Sequence, residues 1–189
     1  MLPEFVVVGI DPGIDIAGYS VIKHTVNPQN SLSQLSLLTV SAIKADLGTT
    51  NARVRFLCSE FENLINVTIC EHKGMKVIAA IECPNEVLYG GVAARASNVI
   101  KLIAAAYGVI GRLTSILPVF TVRPTDWQPS KKSREIKDVK QWSRQIANAK
   151  LKAFRSTLPA FEKQTQDIAD ALNIGVCGYM KVMNGEWVL

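Results

Sequence analysis

The chain has 189 residues, 48% of them apolar and 20% charged, with a formal net charge of +5, which is enough apolar material for one domain spanning 1–189 with a sizeable core. No apolar stretch is long and uninterrupted enough to cross a membrane, and the N-terminus lacks the basic, apolar, small-residue order of a secretory signal, so a cytoplasmic protein with no membrane partner is expected. Cys58, Cys70, Cys83 and Cys177 are spaced too widely for a zinc site or a disulfide framework and read as buried thiols.

In chain order, "FVVVGIDPG" is a short β-branched run closed by Pro and Gly, the pattern of a buried central strand ending in a tight turn. "AGYSVIK" follows as its hairpin partner and "LSQLSLLTVSAIK" as a third strand. From Thr49 to about Cys70, Val54, Leu57, Phe61, Leu64 and Ile65 recur with a helical period, and threonines are available as caps. "KVIAAIEC" is a second continuous apolar run of strand length, ending on Glu82 just before Pro84. An Ala/Gly-rich helix is predicted from about Leu88 to Leu113, and "PVFTV" gives a fifth strand, stopped by Arg123-Pro124 because proline has no N–H for a ladder. A helix from about Asp138 to Thr157 and a last one to about Met183 complete the chain. Three strands followed by alternating helices and strands predict an α/β fold: a five-stranded mixed sheet, its first three strands antiparallel, with helices on both faces.

The charge excess is local. Arg123 to Arg155 carries ten Lys/Arg against three acids, a segment of +7 in a chain that is otherwise −2. Such a stretch suits a phosphate-rich partner, since neutralising phosphates releases counterions, although a solvated helix face is the alternative. The acids are placed differently. Asp11 and Glu82 end the first and fourth strands, where open α/β sheets gather their chemistry, and Asp167 and Asp170 share one helical face at i and i+3. Each acid alone could be structural: Asp11 a turn residue, Glu82 a solvated strand end, Asp167 a first-turn partner of the helix dipole. Asp170, among Ala, Leu and Ile, is less ordinary. Four converging carboxylates raise one another's pKa unless a cation sits among them, and Mg²⁺ with oxygen ligands would meet that need.

"GIDPGIDIAGYSVI", "AIECPNEVLYGGVAARASNVI" and "DIADALNIG", in this order and at these separations, resemble the RuvC family of Holliday junction resolvases over most of the chain. The resemblance implies an RNase H-like fold, a homodimer formed through the small-residue helix after Glu82, and paired nicking of four-way junction DNA that leaves ligatable 5′-phosphate ends. It implies two Mg²⁺ ions per site, with Mn²⁺ as substitute, held by Asp11, Glu82, Asp167 and Asp170 as the catalytic and metal-binding acids. For DNA contacts it points to Tyr89, the nearest aromatic after Glu82, and to Arg123, Lys131, Lys132, Lys137, Lys140 and Lys150 of the basic segment. Trp127 is open between a DNA contact and the core. Where the family carries a lysine after the fifth strand this chain reads "RPTDWQ", with Gln128 or a neighbour in its place, so Lys137, Lys140 and Lys150 all stand as the lysine that approaches the phosphate. These departures mark a divergent member, with a phage origin one of the readings left open. A less selective nuclease on branched DNA or RNA–DNA hybrids, and a non-catalytic junction binder, are the alternatives.

Overall fold

The computed structural model describes residues 3–27, 29, 32–83, 93–128, 138–162 and 165–187, with the side chains of 93–99 excepted. The elements run β1 (Phe5–Asp11), β2 (Ile16–Val26), β3 (Ser33–Lys44), α1 (Thr50–Glu71), β4 (Lys76–Glu82), α2 (Ala93–Leu113), β5 (Val119–Val122), α3 (Pro124–Trp127), α4 (Val139–Ala153) and α5 (Gln166–Met183). The five strands form one mixed sheet in the order β3-β2-β1-β4-β5. β2 is antiparallel to β1 and β3, whereas β4 is parallel to β1 and β5.

β1 is central, and its side chains alternate between two cores. Val6, Val8 and Ile10 face Leu57, Phe61 and Ile65 of α1 and Val109 and Leu113 of α2. Phe5 and Val7 face Ile174 and Val182 of α5. Covering both faces is what makes "FVVVGI" a continuous apolar run, and each fully buried Val, Ile or Phe contributes roughly 1.5–3 kcal/mol. A third cluster, with Ile22, Ala147, Leu151, Ala169 and Leu172, lies where α4 packs on α5.

α1 starts where the sequence predicts, because the Thr49 hydroxyl accepts from the Ala52 N–H at 3.2 Å. α4 starts on the Asp138 carboxylate, which caps the N–H groups of Lys140 and Gln141. It ends at Ala153 rather than running on to Thr157. Arg155 adopts φ 52°, and the Ser156 and Arg155 N–H groups donate to the carbonyls of Leu151 and Lys152. This is a Schellman stop built without glycine, so no residue type announced it. α3 was also missed: Arg123-Pro124 ends β5 and at once begins a helical turn, with proline in its favoured first position. The start expected for α2 at Leu88 falls outside the described residues, whose α2 begins at Ala93. Among the described residues no cysteine is in a disulfide; Cys70 is exposed and the other three are half-buried, not fully buried as expected.

Two glycines let α5 approach the sheet. A Cβ on Gly9 in β1 would meet the backbone of Gly175 and lie 2.7 Å from the Ala171 carbonyl. One on Gly18 in β2 would collide with the Asp167 carbonyl. The Ser20 hydroxyl donates to the Ala171 carbonyl at 2.8 Å across the same contact. α5 thus lies directly on β1 and β2, with its first turn over the carboxyl end of β1.

Candidate active site

Asp11 and Glu82 are the last residues of parallel neighbours whose register runs Val8 to Ala79, Gly9 to Ala80 and Ile10 to Ile81. They therefore emerge side by side, and α5 supplies Asp167 and Asp170 from above. Burial pushes the Asp11 carboxyl well above its ordinary range, and the negative charges of Glu82, Asp170 and Asp167 push it further. Burial raises Glu82 to about 7; the Trp127 indole counteracts this and Asp170 adds to it. Asp167 is raised by burial, against its own backbone hydrogen bond and the charge of Lys140. Burial also raises Asp170, opposed by hydrogen bonds from Ser143 and Gln166. Asp11 thus lies within electrostatic reach of the other three sequence-predicted acids, short of a formed cage: among the described residues no three His, Cys, Asp or Glu side chains are grouped to hold a metal as they stand.

The donor set suits a hard divalent cation. It is all oxygen, and the carboxyls are disfavoured as anions by burial and mutual repulsion, which a cation among them would relieve. Their orientation comes from neighbours that the sequence did not reveal. Trp127 Nε1 donates to Glu82 Oε2 at 2.7 Å, while its ring packs at the edge of the α5 core, so this tryptophan serves both the core and an acid. Asp170 Oδ1 accepts from Ser143 Oγ and, at 2.8 Å, from Gln166 Nε2. Gln166 could have been found at i−4 from Asp170 on a helix; Ser143, 27 residues away, left no pattern in the sequence.

Two cavities flank the acids. One of about 420 Å³ is bordered by Gly13, Thr50, Arg53, Lys101 and Asp167. The other, of about 210 Å³, is bordered by Gln128, Lys140, Ser143, Gln166 and Asp170. Lys140 is exposed on the first turn of α4, and its charge acts on Asp11, Asp167 and Asp170. Arg123 is largely exposed and pairs with Asp126 at 3.2 Å. Lys150 does not fit the DNA-contact role: its ammonium turns into the α4–α5 interface and donates to Asn173 Oδ1 at 2.7 Å, and burial lowers its pKa to about 8. Tyr89, Lys131, Lys132 and Lys137 lie outside the described residues.

The family model for the crossover junction endodeoxyribonuclease RuvC matches residues 7–112. The chain belongs to the RuvC family. Its activity is accordingly that of a Holliday junction resolvase, an endonuclease hydrolysing DNA at crossover junctions, and RuvC nucleases use divalent metal ions. The matched residues include Asp11 and Glu82, whereas Asp167 and Asp170 lie beyond them. The RuvC fold itself extends further. Thermus thermophilus RuvC superposes with a TM-score of 0.62 at 18% identity, over 96% of this chain and 97% of that one. T. thermophilus RuvC in complex with a Holliday junction substrate gives 0.60 at 20% identity, again over 96% and 97%. No curated protein matches the chain. No helix among the described residues is long and apolar enough to cross a membrane.

Proposed function

We infer that this resolvase is a single-domain, Mg²⁺-dependent enzyme in which Asp11, Glu82, Asp167 and Asp170 hold two divalent ions, with Mn²⁺ able to substitute. The observation that carries the reading is the placement of Asp11: it ends the central strand beside the end of the parallel β4, which carries Glu82, and it feels the charges of Asp167 and Asp170 from α5. When bound, the ions supply a water activated for in-line attack on phosphorus and stabilise the departing 3′ oxygen, which leaves a 5′-phosphate that a ligase can seal.

The chain's own residues do the rest. Asp11, beside Glu82 at the strand ends and within the field of Asp167 and Asp170, would be shared between the two ions, with Glu82 and Asp167 or Asp170 each holding one of them. Trp127 holds Glu82 Oε2 so that this carboxylate keeps one orientation. Lys140, at the lip of the cavity beside Asp170, offsets charge on the scissile phosphate. Arg123, Lys131, Lys132 and Lys137 of the basic segment track the backbone of the junction arms.

Symmetrical nicking of opposed strands needs two such sites, and α2 supports a homodimer. Past its small-residue first half, Ile100 and Tyr107 are 56% and 42% exposed, which leaves apolar surface on this helix for a second copy. A cytoplasmic location fits the substrate.

The test is cleavage of a synthetic four-way junction, with a linear duplex and a fork of the same sequences as controls, in Mg²⁺, in Mn²⁺ and in chelator. Paired nicks in the junction that require metal and vanish in Asp170→Asn are expected. Tight binding without cutting in either metal would leave only a junction-binding module, and equal cutting of forks or duplexes would withdraw the junction selectivity while keeping the acid site.

A further inference from the structure

The interface between α4 and α5 is mostly apolar, with Ala147, Leu151, Ala169 and Leu172 in contact, yet Ser143 and Asn173 are each only 1% exposed within it. Polar groups so placed are tolerated when every donor and acceptor is matched. Here they are matched in one direction only. Lys150 Nζ donates to Asn173 Oδ1 at 2.7 Å. Asn173 Nδ2 donates to Ser143 Oγ at 2.9 Å and to the Ser143 carbonyl at 3.0 Å. Ser143 Oγ then donates to Asp170 Oδ1.

The direction is fixed at Asn173 from both sides, because the Ser143 carbonyl only accepts and the Lys150 ammonium only donates. Asn173 must therefore turn its oxygen toward Lys150 and its amino group toward Ser143. With that amino group donating to its oxygen, the Ser143 hydroxyl turns its own proton to the Asp170 carboxylate, which only accepts. A second branch reaches the same atom: Arg144 Nη1 donates to Gln166 Oε1 at 2.5 Å, and Gln166 Nε2 donates to Asp170 Oδ1. Both branches end on Oδ1, and among the described residues none ends on Oδ2.

We propose that Lys150, Asn173 and Ser143 form a one-way hydrogen-bond relay that fixes the rotamer of Asp170, occupying Oδ1 from inside the protein and presenting Oδ2 to a divalent cation. They are positioning residues, acting on the cation only through Asp170. The inference rests on Asp170 being a metal ligand, as read above, and it gives Lys150 a task inside the fold in place of one on the DNA. Such partners of metal ligands affect metal affinity about 10–100-fold. Lys150 matters because it and the Ser143 carbonyl together hold the Asn173 amide in the orientation that donates to Ser143; without it only the carbonyl is left to do so, and the hold on the Ser143 hydroxyl slackens.

The experiment measures Mn²⁺ binding to the full-length protein without DNA, by loss of the free-ion electron paramagnetic resonance signal, together with the thermal midpoint and junction affinity in chelator. Asp170→Asn tests the underlying reading: wild-type Mn²⁺ affinity in that variant would remove the ligand assignment and the relay with it. Given weakened binding there, Ser143→Ala is expected to bind Mn²⁺ about 10–100-fold more weakly, and Lys150→Met to shift in the same direction, both with junction affinity in chelator like wild type. Wild-type Mn²⁺ affinity in Ser143→Ala would overturn the relay and leave Asp170 as a ligand. A Ser143→Ala effect that appears only with a lowered midpoint, beside wild-type Mn²⁺ binding in Lys150→Met, would also overturn it by reducing the contact to helix packing.

Discussion

His24 is an unusual tenant of a strand core. It is 1% exposed, neither ring nitrogen has a hydrogen-bond partner among the described residues, and its ring stacks on Phe5 at 4.9 Å between centroids. Burial lowers its pKa from the ordinary 6.5, with Glu4 pulling weakly the other way. The folded protein therefore holds a neutral ring where the unfolded chain takes up a proton, so this residue subtracts stability as pH falls below about 6.5 and subtracts nothing well above it. His24→Phe keeps the aromatic stack and removes the titration. Urea midpoints at pH 7.5 and pH 5.5 should show wild type losing ground to the variant on the acid side. A difference between the two proteins that does not change with pH would sink the account.

At the scale of elements, the site depends on how closely α5 lies on the sheet. Gly18→Ala would drive a methyl group into the Asp167 carbonyl, and α5 can yield only by moving both of its aspartates. Overpacking of this kind costs about 1–3 kcal/mol, and a shift near 1 Å in a catalytic group can cost on the order of 100-fold in rate. A folded Gly18→Ala protein with junction cleavage down by about that factor is expected, while Gly48→Ala, with nothing within 4 Å of the new methyl, should cut like wild type. Circular dichroism and cleavage rates measured together decide it; a Gly18→Ala enzyme at full rate would show that α5 has room to spare. The same elements show what could be read without coordinates. β1 and β4 were legible with their terminal acids because a strand covered on both faces must be continuously apolar, so the first acid marks its end. α5 betrayed its two aspartates by their spacing. The end of α4 and the turn of α3 were hidden because Arg155, at the stop of one, and Pro124, at the start of the other, play roles that many residues in many sequences could play. Ser143, Asn173 and Trp127 stayed invisible for a different reason: their hydrogen bonds join elements 27 to 45 residues apart, and no periodicity records such pairings.

For the molecule as a whole, collecting four carboxyls at one end of the sheet opposes folding, and Glu82 allows this to be measured. Its pKa in the fold is about 7 against an ordinary 4.5, so between those values the native protein keeps a proton that the unfolded chain has released. Stability from this group therefore falls as pH rises through that window, and the deficit is complete above about 7. Asp11, Asp167 and Asp170 shift in the same direction. Glu82→Gln keeps an acceptor for the Trp127 indole and discards the charge. In chelator at pH 8 that variant should be more stable than wild type, by on the order of 2–3 kcal/mol, and the gap should close near pH 4. Mn²⁺ near saturation should reverse the order, because a cation bound only to the folded state stabilises by about 4.1 kcal/mol at 1,000 times its Kd, more than the gap, and the variant has lost a ligand. Denaturant curves for both proteins at the two pH values, with and without Mn²⁺, separate the contributions. If Glu82→Gln is no more stable than wild type in chelator at pH 8, the carboxyls are not in conflict in the metal-free fold. If instead the variant leads there and Mn²⁺ restores wild type to the lead, the strain among these acids is what the cation relieves.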